Sequence, residues 1–172
     1  MLIDSHAHFD MLMESTGESE DEVMRGYDEA GIARAVQVSI EPDGFSWSRD
    51  FARRNRSRGI LFSLGIHPSS KADESDLSFL KKFTHETMAS PDSELLFGIG
   101  ECGLDYYRMR QAVDVQRRSF EFQINLAIEN NLPVIIHSRD SIEDTLSVIR
   151  NMKPSCGIMH CFPGNSHDAK KF

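Results

Sequence analysis

Cysteine is scarce in this 172-residue chain: Cys102, Cys156 and Cys161 are all there is, and no two form a CxxC pair. An odd number without that spacing argues against a disulfide framework and against a thiolate zinc site. No apolar run approaches the ~20 residues needed to cross a bilayer, so no membrane association is expected. The amino terminus, MLIDSHAHFD, has neither a positively charged start nor a long apolar stretch. No secretory signal is expected there, and the expected location is cytoplasmic. Positive charge is short too, with a net charge of −8 and a pI near 5.3. That argues against a broad basic surface tracking a nucleic-acid backbone. It leaves room for a phosphodiester substrate whose charge is met locally by bound divalent cations. Low-complexity segments, linkers rich in Pro, Gly and Ser, and close internal repeats are also missing.

What is present is alternation. The hydrophobic fraction of 40% and charged fraction of 27% suit a soluble globular protein with a real core. Strand-like runs fall at 2–4, 34–40, 60–65, 95–100, 132–137 and 155–160. Amphipathic helices are predicted over 20–30, 45–57 (with Gly59 as a stop), 74–88, 112–129 and 140–151, the last capped by Asp140 or Ser141. A further helix starts at Asn165 or Ser166. In 112–129 the apolar side is read as Val115, Phe122, Leu126 and Ala127. Apolar, non-alternating strands separated by helices predict a parallel α/β sheet covered by helices.

Polar groups choose between the parallel folds. His6, His8, Glu101, His137 and His160 each follow a short apolar run, as if gathered around one centre at the carboxyl ends of the strands. A doubly wound sheet would split those ends about a switch point, whereas a barrel assembles a metal site there. His6 and His8, two apart on a strand, leave the same face and can share one ion, though an isolated HxH pair is as often structural. Asp10 either orients one of those rings or is a plain turn or cap residue. Glu101 sits in Gly98-Ile-Gly-Glu-Cys-Gly103, and a carboxylate right after a buried strand needs a partner. Two oxygens let it bridge two metals. His67, in Gly-Ile-His-Pro, lines the pocket or contacts substrate, with a merely structural role as the even alternative. His85 and His167 are read as surface residues. Cys102 and Cys161, each directly after a candidate ligand, are expected to face away from the metal and pack under helices.

Five segments, DSHAHFD (4–10), GIHP (65–68), GECGLDYY (100–107), LPVIIHSRD (132–140) and MHCFPG (159–164), together resemble the TatD family of metal-dependent hydrolases. They occur in order and span essentially the whole chain. The resemblance implies a (β/α)₈ TIM-type barrel, of which about six βα units are present, as one incomplete hydrolase domain over 1–172. It implies hydrolysis of DNA phosphodiester bonds, including exonuclease action on single strands or 3′ ends. It also implies two divalent metal ions (Mg, Mn or Zn): His6 and His8 would hold one, His137 and His160 the second, with Glu101 as the catalytic bridging carboxylate. Apart from the resemblance, Arg139 and Arg108 follow ligand-bearing strands and would contact phosphate, and Tyr106 or Tyr107 would stack on a base, the alternative being plain surface arginines and packed tyrosines. The family's further ligand, an aspartate in a Glu-Thr-Asp-x-Pro type segment after the eighth strand, has no counterpart in these residues. Six strands would leave two open sheet edges. Self-association, instability and weak catalysis of the isolated chain are the expectation. The alternatives are a small-molecule amidohydrolase or lactonase with the same metal site, and a non-catalytic remnant that binds metal or nucleic acid.

Overall fold

The structure is a computed structural model and describes residues 2–171. Its centre is one sheet of six parallel strands: β1 (Leu2–Ala7), β2 (Ile32–Val38), β3 (Ile60–Leu64), β4 (Leu96–Asp105), β5 (Val134–Arg139) and β6 (Gly157–Met159). Their spatial order is their chain order. A doubly wound sheet would reverse direction at a switch point; this one does not, and its six strands curl as part of a TIM-type barrel. Three parallel pairings shift register: β1 with β2, β3 with β4, and β4 with β5. Such irregularities re-aim side chains, and the one between β4 and β5, from Ile99 to Cys102, spans Glu101.

The helices are α1 (Phe9–Thr16), α2 (Glu20–Glu29), α3 (Phe45–Arg54), α4 (Glu74–Met88), α5 (Val113–Glu129), α6 (Ile142–Met152) and α7 (Ser166–Ala169). Reciprocal capping boxes start α2 (Ser19 with Glu22), α4 (Asp73 with Asp76) and α7 (Asn165 with Asp168). Ser141 occupies the N-cap of α6 without capping it, because its hydroxyl donates to the Leu104 carbonyl. Nor does Gly59 end α3. That helix stops at Arg54, and Gly59 closes a following 3-10 turn at φ 75°. α1 is an addition to the predicted elements. Only its Phe9 is buried, so it lacks the apolar stripe by which a helix is recognised in sequence.

Fully buried Phe9, Phe45, Phe51, Phe62 and Phe120 anchor the core between sheet and helices, each worth ~1.5–3 kcal/mol of burial. The buried side of α5 is centred differently from its predicted face. Gln116, Ser119, Phe120, Gln123, Ile124, Leu126 and Ala127 are buried, whereas Val115 and Phe122 are half-buried. The two glutamines face inward because strand ends leave backbone groups without ladder partners. Gln123 accepts from Ile66 N (2.8 Å) and donates to Ile66 O (3.0 Å). Gln116 does the same for Asp105, at 2.8 and 3.2 Å. Both therefore clamp the chain at the carboxyl end of a strand, where the candidate site lies. No helix is long and apolar enough to cross a membrane among the described residues.

Candidate metal centre

The structure brings His6, His8, His67, Glu101, His137 and His160 to one end of the sheet. His6 lies within β1 and His8 just beyond it, Glu101 lies inside β4, His137 lies in β5, and His160 follows β6. Glu101 is the hub. Its Oε2 is 3.2 Å from His6 Nε2 and 3.7 Å from His8 Nε2, and its Oε1 is 2.8 Å from His137 Nδ1 and 3.8 Å from His67 Nε2. The Nε2 atoms of His6 and His8 are 3.1 Å apart. The His160 ring stacks on His6 with centroids 3.4 Å apart.

Backbone groups fix several of these rings. His8 Nδ1 lies 2.9 Å from Val38 O, so it donates there and leaves Nε2 with a lone pair toward the centre. His67 is the reverse: its Nδ1 accepts from Ser69 N at 3.0 Å. Close backbone approach makes the packing possible. A Cβ on Gly103, at φ 145°, would overlap the His137 carbonyl.

Asp105, at the end of β4, is part of the same cluster. It is 1% exposed, and its Oδ2 is 3.3 Å from His137 Nε2. Sequence reasoning passed over it because its role needs β4 to continue through Gly103. The available signal was the GLDYY stretch itself.

Burial pushes the Glu101 carboxyl upward, but the close His137 and His6 rings outweigh it and hold the group well below the usual carboxylate range. Asp105 is likewise raised by burial and, more strongly, lowered by the Arg108 N–H, the His137 ring and the Tyr107 N–H. Burial lowers His67 to about 4 against the opposing pull of Glu101. His160 is lowered by burial and by the neighbouring His6. The shifts at His67, His160 and Glu101 favour neutral imidazole and ionised carboxylate, the protonation states a divalent cation requires.

The donor set fits such a cation. Nitrogen and carboxylate oxygen atoms with lone pairs converge within 4 Å of one another at His6, His8 and Glu101, more acceptors than protons can satisfy. His6 Nδ1 is buried without a hydrogen-bond partner. Two groups of donor atoms each lie within 4.8 Å of one another: His6, Glu101 and His160, and His67, Asp105 and His137. His160 thus falls beside His6, on which its ring stacks, and it shares the cleft lining with His137.

A cleft of ≈ 670 Å³ opens over the cluster, lined by His8, Glu101, His137, Arg108, Arg110 and Lys71 among others. Arg139 is not in its lining; its guanidinium sits 3.8 Å over the ring of Tyr107, which is 64% exposed. Tyr106 donates to Asp144 at 2.7 Å. Asp10 orients no histidine; it accepts from buried Gln37 at 3.2 Å. Cys102 is buried, as expected, and burial pushes its thiol up. Cys161 is exposed, at φ 42°, because the chain has left the strand there. His85 and His167 are exposed. Arg110 escaped notice because it lies past the last apolar strand residue.

Residues 3–172 match the family model described as TatD related DNase. The chain is 32% identical over 173 residues to the "Uncharacterized metal-dependent hydrolase YcfH" of Escherichia coli K12, covering 99% of this chain and 62% of that protein. It is 35% identical over 107 residues to the "3'-5' ssDNA/RNA exonuclease TatD" of Pectobacterium carotovorum, covering 60% and 39%. The crystal structure of the TatD homologue YjjV from E. coli K12 superposes with a TM-score of 0.88 at 24% identity, over 99% of this chain and 63% of that one. The chain therefore spans under two thirds of the length of these relatives. Family model, relatives and fold agree: the chain belongs to the TatD family.

Proposed function

We propose that this chain is a divalent-metal-dependent hydrolase of DNA phosphodiester bonds, acting on single strands from a 3′ end. Residues 1–172 act in this reading as one catalytic domain. The observation that supports it is the convergence of imidazoles on β1, on β5 and just after β6 around the buried carboxylate of Glu101. The relative named as a 3'-5' ssDNA/RNA exonuclease supports the choice of substrate.

His6, His8, His137 and His160 would hold two cations, with Glu101 shared between them. Bound divalent cations supply Lewis-acid charge to a phosphoryl oxygen and lower the pKa of water toward ~7. The protein's own groups do the rest. Glu101 stays ionised and anchors the centre, and Val38 O holds the His8 ring. Arg108 and Arg110, on the cleft wall, meet the phosphates flanking the scissile bond. Tyr107, backed by Arg139 on one face, offers its other face to a base. Only a few cationic groups are needed, which accords with the net charge of −8.

The test is release of nucleotides from 3′-labelled single-stranded DNA, run with Mn²⁺, Mg²⁺ or Zn²⁺ and after chelation, beside a panel of lactones. The expected result is DNA cleavage abolished by chelation and restored by metal. Chelation-insensitive cleavage, or turnover confined to lactones, would overturn the reading.

A further inference from the structure

Each ring nitrogen of His137 lies within hydrogen-bond distance of a different carboxylate, and the two carboxylates are held very differently. Its Nδ1 faces Glu101 Oε1 at 2.8 Å and its Nε2 faces Asp105 Oδ2 at 3.3 Å. Glu101 is shared among four imidazoles. Asp105 is committed elsewhere. Its Oδ1 accepts from Tyr107 N at 3.0 Å and Arg108 N at 2.7 Å. Gln116 holds its backbone N–H and carbonyl from the other side. With 1% exposure and these anchors on both carboxylate and backbone, the group has no freedom to swing. Only Oδ2 is left, and it faces His137.

We infer that Asp105 is a positioning residue that keeps the His137 proton on Nε2 and thereby presents Nδ1 to the cation shared with Glu101. This rests on the metal-dependent reading above and deepens it. A ring with one N–H tied to a carboxylate has its tautomer and orientation fixed and is a more basic ligand through the other nitrogen. The competing arrangement makes Asp105 a direct ligand together with His67 and His137. It is disfavoured because His67 Nδ1 accepts from Ser69 N, which leaves the neutral ring's proton on Nε2 and no lone pair there for a cation.

Asparagine at this position makes the inference sharp. Its amide oxygen must take the place of Oδ1, since Tyr107 and Arg108 present donors. The amide N–H₂ then faces His137 Nε2, donor against donor, and favours the wrong tautomer. A residue that merely braced the turn would tolerate this near-isosteric change without altering the ring's proton.

The experiment pairs two readouts, neither of which uses DNA. Long-range ¹⁵N–¹H correlation on the Zn²⁺-loaded protein, with His137 assigned from its absence in His137→Gln, reports which ring nitrogen carries the proton. Calorimetric titration with Zn²⁺ reports affinity. The expected results are a proton on Nε2 in the wild-type protein and a loss of about 10–100-fold in Zn²⁺ affinity in Asp105→Asn. In the His137→Gln background, Asp105→Asn should change the affinity by less than about twofold, since the effect acts through that ring. An unprotonated Nε2 in the wild-type protein, or unchanged affinity in Asp105→Asn, would overturn the inference. If Asp105→Asn does not fold, the wild-type spectrum alone decides. No Zn²⁺ binding by the wild-type protein would overturn this inference and the proposed function together; binding without DNA cleavage would overturn only the nuclease reading.

Discussion

His6 and His160 stack face to face, with ring centroids 3.4 Å apart and planes 13° from parallel, although β1 and β6 are the two outermost strands of the sheet. Four strands lie between them. At the ~4.8 Å spacing of neighbouring strands, a flat sheet would hold these rings more than about 20 Å apart. Curling of the sheet brings them together, and it is this curvature that gathers the histidines around Glu101.

Packing at the β4–β5 contact tolerates no side chain at residue 103. Gly103→Ala would drive a Cβ into the His137 carbonyl and strain a φ of 145°. The expected cost is about 1–3 kcal/mol or more, together with displacement of His137. Urea unfolding, read beside Zn²⁺ affinity, checks both effects.

Gln37 is fully buried, and its amide joins β2 to the start of α1. Its oxygen accepts from Phe9 N at 2.7 Å, and its nitrogen donates to Asp10 at 3.2 Å and Ser48 at 3.3 Å. Gln37→Leu keeps the shape and strands the Phe9 N–H. A loss of about 1–3 kcal/mol is expected, measurable as a shift in the denaturation midpoint without a change in slope.

His67 makes the metal-free protein acid-sensitive. Its folded-state pKa is about 4 against an ordinary 6.5, so the unfolded chain binds the additional proton first. Stability is complete above pH 6.5 and falls as the pH drops toward 4, by at most about 3 kcal/mol. Protonation would also cost the hydrogen bond that Nδ1 accepts from Ser69. Equilibrium unfolding of chelated protein between pH 7 and 4 should show this slope, and His67→Gln should flatten it.

Arg108 and Arg110 on the cleft wall are expected to act on substrate binding rather than on the chemical step. Arg108→Ala or Arg110→Ala should raise KM for single-stranded DNA several-fold with little change in kcat. Each should also reduce the log–log salt dependence of DNA binding by roughly 0.7 per lost phosphate contact.

Much of this was legible in the sequence because apolar runs in a parallel α/β protein are bounded by polar residues. The six strands and the helices α2 to α7 occur near their predicted places. The losses have common physical causes. α1 buries one residue and shows no stripe. β4 runs on to Asp105 through glycines that in sequence look like a turn, which hid Asp105. Gln37, Gln116 and Gln123 are buried to satisfy backbone groups of other segments, and no local pattern marks a glutamine as inward-facing. The stacking of His160 on His6 depends on the curl of the sheet, which no residue spacing encodes.

The most direct test is Mn²⁺ or Zn²⁺ titration of the chelated wild-type protein beside Glu101→Gln, with bound metal counted per chain. Glu101 touches the rings of His6, His8, His67 and His137 within 4 Å, so removing its charge should abolish saturable binding. Chelator-sensitive hydrolysis should then fall at least about 100-fold, since several kcal/mol of Lewis-acid stabilisation go with the metal. Equal metal content in the two proteins, or none in either, would contradict the account.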